Sequence, residues 1–232
     1  MRNTTVDLIR TLAIVLMVVF HFIYDLRTFG YHNWDIPDGS GWKDFRYVIL
    51  TLFFLCVGIG LVYAHSKMLH WQKFWKREAQ VAVGALLVTA MSLVMFPNNW
   101  IYFGVLHFIV VASVLALPFL KRPNWALVLG IAVVVGYNVG WLKSYWPFHF
   151  IDQVWPGFLP NYSNDKVPIL PWVAVVWFGT WLAHQRFFNN DPLRNIQLPR
   201  WAQWPGRHSL LVYLIHQPIL VGSLHAWQSL VA

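Results

Sequence analysis

Apolar runs long enough to cross a membrane recur along the whole chain, and no other feature restricts its fold so tightly. A hydrocarbon slab of about 30 Å takes about 20 helical residues. Runs near that length stand at 5–26, 44–65, 78–96, 101–119, 125–142, 168–186 and 207–229. In lipid the backbone must satisfy its own hydrogen bonds, which leaves helices for runs of this kind. The sequence therefore predicts an all-α, polytopic membrane helix bundle of about seven transmembrane helices, a single membrane domain over residues 1–232.

Only 11% of residues are charged, against about 25% in soluble domains, which fits a lipid solvent. The net charge of +8 does not read as nucleic-acid binding, because the cations sit in short segments between apolar runs. With the N-terminus in the cytoplasm, the inner segments collect eleven: Arg2, Lys67, Lys73, Lys76, Arg77, Lys121, Arg122, Arg186, Arg194, Arg200 and Arg207. The outer segments hold five: Arg27, Lys43, Arg46, Lys143 and Lys166. That bias predicts an N-terminus inside and a C-terminus outside. The opening run holds Asp7 and Arg10 and lacks a small-residue cleavage pattern, so it reads as a retained first helix. The single cysteine, Cys56, offers neither a disulfide framework nor a multi-cysteine metal site.

The first helix carries Asp7, Arg10, His21 and Asp25 in an otherwise apolar sequence. Such groups are costly in lipid unless they face protein or a watery cavity. At ~100° per residue from Arg10, His21 lies near ~20° and Asp7 and Asp25 near ~60°, one narrow arc. Arg10 and His21 are about 16 Å apart along the axis, so the arc predicts a polar path through the slab. Asp25, one turn beyond His21, is placed to orient its imidazole. The structural alternative is a terminal Asp7–Arg10 pair reaching the inner surface and a satisfied interior histidine.

Polar groups recur on the last run, where Ser209, Tyr213 and His216 share a face and His216-Gln217-Pro218 is expected to interrupt the helix. They fit substrate contact as well as helix-to-helix hydrogen bonding. His107 follows Gly104 inside the fourth run and allows either packing or function, while His65, His70, His184 and His225 lie near run ends and read as interfacial. Asp165 and Lys166 precede the sixth run, where helix capping competes with substrate binding. The two longer outer segments, 27–43 and 143–167, suit lids or interfacial pieces, and 187–206 suits a solvated connector. No histidine pair has a metal-ligand spacing, and no metal is expected.

The spacing of Arg10 and His21 resembles the first helix of the membrane acyltransferase-3 family, whose members move acyl groups onto extracytoplasmic sugars. The wider text is similar to the catalytic domain of heparan-alpha-glucosaminide N-acetyltransferase and its bacterial relatives. The matching pieces are VDLIRTLAIVLMVVFHF from Val6, YHNWD at 31–35, FFLCVGIGLVYAH from Phe53, GVLH at 104–107, DKVPILPWVAVVWFGTWLA from Asp165 and GRHSLLVYLIHQPIL from Gly206. The resemblance implies an acetyltransferase of the bacterial inner membrane. Its donor would be acetyl-CoA or another small acyl-CoA, its acceptor an amine or hydroxyl of a sugar or glycan, and its partners membrane lipid and a second copy in a homodimer. The family's catalytic histidine falls on His32, flanked by Asn33 and Trp34 on the acceptor side. Eukaryotic members carry asparagine where this chain has His21, which leaves open whether His21 or His32 is the base.

The expected site thus comprises His32, His21 and Asp25 for catalysis. Arg10, His107, Ser209, Tyr213 and His216 are expected at the donor, and Asn33, Trp34 and Asp165 at the acceptor. The histidine serves as acid–base or as a transient acyl carrier. The rival function is a proton-coupled transporter or channel, because buried Asp, Arg and His chains also relay protons.

Overall fold

The computed structural model describes residues 3–65, 67–143, 148–163, 165–195 and 199–231, with the Arg200 side chain excepted. Arg2, among the expected inner cations, and residues 144–147 and 164 of the second long outer segment lie outside the described residues. All regular structure among the described residues is helical. The helices are α1 (Thr4–Thr28), α2 (Trp42–His65), α3 (Trp71–Met95), α4 (Val105–Ala116), α5 (Pro123–Asn138), α6 (Phe148–Val154), α7 (Ile169–Leu182), α8 (Arg186–Asn190), α9 (Arg200–Arg207) and α10 (Ser209–Val231), with one 3-10 turn, Leu117–Phe119, after α4.

Four of these, α1, α2, α3 and α10, are long and apolar enough to cross a membrane. Three shorter apolar helices are Val105–Phe119, Pro123–Asn138 and Ile169–Leu182. The chain is an all-α polytopic membrane protein. Helix bounds depart from the apolar runs for physical reasons. Helix α3 starts at Trp71, because Lys73, Lys76, Arg77 and Glu78 are strong helix formers even though they break the apolar pattern. Helix α5 ends at Asn138, where Gly140 takes φ +85° and the Trp141 and Leu142 N–H groups return to the Gly136 carbonyl at 2.9 and 3.0 Å. Helix α10 runs through Pro218 without a break, so the expected interruption at His216-Gln217-Pro218 does not occur.

Contacts divide the chain into two compact units, Met1–Phe53 with Asn190–Ala232, and Phe54–Asn189. In the first unit α1 packs against α9 and α10. Its amino end is capped twice. The Asn3 side chain accepts from the Val6 N–H at 3.0 Å, and the Asp191 carboxylate accepts from the Thr4 and Thr5 N–H groups at 2.8 and 2.9 Å and from the Thr5 hydroxyl at 2.7 Å. Leu12, Val15, Val19 and Phe22 of α1 are exposed, at azimuths ~120–200° from Arg10, so the face opposite the polar arc is the lipid-facing one.

In the second unit α7 packs on α5 and α4, and α3 on α4. The part of α2 within this unit meets α7 through Gly58 and Gly179. A Cβ on Gly58 would stand 2.1 Å from the Val176 carbonyl oxygen, and one on Gly179 2.4 Å from that of Leu55. Only small residues permit backbones to approach this closely.

Candidate functional site

The polar residues of α1 fall into two groups rather than one continuous path. At the amino end the buried Asp7 has the Arg10 guanidinium at 3.4 Å and Arg207 at 4.0 Å. Arg10 also donates to the Gly206 carbonyl at 3.4 Å, and the Gly206 N–H donates to the Thr11 hydroxyl at 3.0 Å. Gly206 lies so close that a Cβ there would be 2.2 Å from the Asp7 carbonyl oxygen. Arg10, expected at the donor's phosphates, thus ties α1 to α9. Beyond it Ala13, Ile14 and Met17 are buried within ~60° of the Arg10 azimuth, an apolar plug between the two groups.

The second group is built from α1 and α10. His21 and His216 meet edge to face, ring centroids 4.9 Å apart at 82°. The His21 Nδ1 lies 2.9 Å from the Met17 carbonyl, and His216 Nδ1 2.6 Å from that of Tyr213. A carbonyl accepts only, so in each ring Nδ1 carries the proton, and in the neutral form Nε2 holds the lone pair. Asp25, 3% exposed, accepts at Oδ1 from the Gln217 side-chain amide at 2.8 Å. The turn-spaced Asp25 therefore does not orient the His21 Nδ1–H, which the local carbonyl has taken. Asp25 Oδ2, His216 Nε2 and Gln217 Oε1 are buried without a hydrogen-bond partner among the described residues. Tyr213 lies against His216, centroids 5.7 Å apart, and the half-buried Ser209 opens α10 about two turns earlier.

His32 occupies the loop after α1 with both nitrogens engaged. Nε2 lies 2.9 Å from the Ile23 carbonyl, and Nδ1 accepts from the Trp34 N–H at 3.2 Å. The ring thereby fastens this loop to the end of α1, and the Arg27 guanidinium adds a hydrogen bond to the Ile36 carbonyl. His32 and Trp34 have centroids 4.5 Å apart, and Trp34 stacks on Trp42 at 5.7 Å and 27°. Trp34, Asp35, Gly39, Ser40 and Trp42 line an open cavity of about 310 Å³. Trp34 is 55% exposed and Asn33 is also exposed.

His107 and Asp165 belong to the second unit, where hydrogen bonds account for both. His107 Nε2 lies 3.1 Å from the Thr89 hydroxyl, which donates to the Ile101 carbonyl at 2.7 Å, while Nδ1 accepts from the Gly104 N–H at 3.3 Å. With both ring nitrogens engaged, His107 fixes the entry to α4. Asp165 accepts from the Val105 N–H at 3.4 Å, so it caps α4 and not the helix that follows it in sequence. Lys166 lies over the Tyr102 and Phe148 rings at 5.4 and 5.5 Å. His65, expected at an interface, is buried edge-on against Phe74.

Two residues escaped the sequence reading. Gln217 is one, because a neutral amide beside a histidine carries no charge to flag it. The other is Glu78, 2% exposed, hydrogen-bonded by Arg77, whose guanidinium also reaches the Ser113 hydroxyl at 3.3 Å. Helical periodicity gives the missing signal, since Phe74, Glu78, Val81 and Ala85 form one buried face. Among the described residues no group of three His, Cys, Asp or Glu is gathered closely enough to hold a metal ion.

Lipid-facing helices with an imidazole pair on α1 and α10, His216 buried and His21 half-buried, define an integral membrane protein whose interior carries acid–base groups. Comparison with known families makes this specific. The chain belongs to the heparan-alpha-glucosaminide N-acetyltransferase catalytic family, whose profile matches residues 2–218. It is accordingly a membrane acetyltransferase, and acetyl-CoA is the donor expected for the family. No curated protein and no solved structure matches the chain.

Proposed function

We propose that the protein transfers an acetyl or similarly small acyl group from cytoplasmic acyl-CoA to an amine or hydroxyl of an extracytoplasmic sugar, with His21 as the acid–base residue. The observation that supports this most strongly is the 2.9 Å approach of His21 Nδ1 to the Met17 carbonyl. Its Nδ1–H is taken by Met17, which leaves the Nε2 lone pair as the basic position beside His216. A neutral imidazole in that state takes a proton from an attacking amine or hydroxyl and returns it to the leaving group. Acetyl-CoA, as substrate, supplies the activated thioester carbonyl. His216 Nε2, a buried acceptor without a partner among the described residues, suits an N–H or O–H of the attacking acceptor.

His32 is the family's candidate for the base, but its lone pair is held by the Trp34 N–H and its own N–H by Ile23. Its role in this reading is to hold the loop that carries Trp34. The stacked rings of Trp34 and Trp42 suit the apolar face of a sugar, and Asp35 at the cavity edge suits its hydroxyl groups. The rival transporter would draw on the same α1–α10 histidine group, and thiol release separates the two readings.

The test is thiol release by the purified protein from acetyl-CoA, against a panel of amino sugars and surface glycans. Acceptor-dependent release with an acetylated product is expected. Solute or proton movement across sealed vesicles without thiol release would replace this reading with the transporter.

A further inference from the structure

The orphaned atoms of the α1–α10 group are alike in kind. Asp25 Oδ2, Gln217 Oε1 and His216 Nε2 are buried and lack a partner among the described residues. Gln217 Oε1, a carboxyl oxygen of Asp25 and, with the His216 proton on Nδ1, His216 Nε2 are all able to accept hydrogen bonds. Asp25 and Gln217 are joined by a 2.8 Å hydrogen bond, and His216 is the next residue on α10. Buried acceptors are costly without donors, so this interface suits a ligand that brings several N–H or O–H groups. A sugar amine or a pair of neighbouring hydroxyls does so.

We infer that Gln217 is a positioning residue for the acceptor: its amide N–H holds Asp25 Oδ1, so that Oδ2 and the Gln217 carbonyl meet the donors of the incoming sugar. The inference rests on the acyltransferase reading above. The Asp25 carboxylate, freed from orienting His21, is held from α10 instead. Glutamine suits this place because it has a donor end and an acceptor end at every pH. A leucine would leave Asp25 unanchored, and a glutamate would set two carboxyl groups against each other. The titratable groups around Asp25 are His21 on α1 and, against His21, His216 on α10, while Arg207, at the end of α9, faces Asp7.

The experiment measures thiol release by the full-length protein, with acceptor varied at saturating acetyl-CoA and then the reverse, across pH. Gln217→Leu is expected to raise the acceptor KM about tenfold, the equivalent of one hydrogen bond, with the acetyl-CoA KM unchanged. Gln217→Glu, close in shape, is expected to work at low pH, where the two carboxyl groups share a proton. It should fail as pH rises and both ionise, a dependence absent from the wild type. Gln217→Asn, which keeps both ends on a shorter stem, should fall between wild type and leucine. Wild-type acceptor KM and pH profile in all three variants overturn the inference. A loss of kcat or of folded protein alone, with no change in acceptor KM and no new pH dependence in any of them, also overturns it, because a packing role would do the same. Wild-type protein that releases no thiol with any acceptor overturns the acyltransferase reading itself and this inference with it.

Discussion

At the scale of single residues, the charge that secures α1 lies far from it in sequence. Asp191 accepts three hydrogen bonds from Thr4 and Thr5. Partial burial alone would raise its carboxyl pKa, but the Thr5 hydroxyl and the Thr4 and Thr5 N–H groups outweigh that and hold it below the ordinary aspartate value. A depressed carboxyl stabilises the fold above its unfolded pKa of about 3.9 and loses that contribution as pH falls through the folded value. Asp191→Ala should therefore cost about 0.5–2 kcal/mol at neutral pH, the range for a lost helix cap, and progressively less as pH falls through the folded value. Thermal unfolding of both proteins against pH checks this, and an equal deficit at every pH would refute it. Asp7, Arg10, His21 and Asp25 could be placed on one arc from the sequence because helical geometry fixes azimuth. Their partners could not, because Gly206, Gln217 and His216 are nearly 200 residues away along the chain. His107 and Asp165 illustrate the converse, where the structural alternative in the sequence is the one the hydrogen bonds display. Each carried chemistry in the sequence, yet the backbone N–H groups of Gly104 and Val105 claim them.

At the scale of elements, apolar runs located the membrane-crossing pieces because hydropathy reports the solvent, and they missed helix ends because charged residues extend helices into water. Helix α3 begins seven residues before its run for that reason. The close crossing of α2 and α7 was not legible, since a glycine inside an apolar run gives no sign of which backbone approaches it. Gly58→Leu should disrupt this crossing, because the new side chain would start 2.1 Å from the Val176 carbonyl oxygen. A loss of at least about 1–3 kcal/mol is expected from overpacking. The control is Gly222→Leu, where nothing stands within 4 Å. Equal stability of the two variants in detergent unfolding would contradict the crossing.

At the scale of the whole molecule, the family and the helical membrane class rest on the chain as a whole, while orientation rests on cation placement. Cation placement predicts an N-terminus in the cytoplasm. With Cys56 replaced by alanine, a cysteine at Ser40 should react with an impermeant maleimide from outside intact cells, and one at Lys121 only after permeabilisation. The reverse pattern would invert the topology and move the acceptor to the other face. In the proposed function an imidazole on α1 moves the proton in acyl transfer. Its most direct test is the rate of acetylated-product formation by His21→Gln beside His32→Gln at saturating substrates. A loss of about 10²–10⁴-fold is expected for His21→Gln, the usual contribution of an acid–base group, and a smaller loss for His32→Gln. Wild-type turnover by His21→Gln would contradict it.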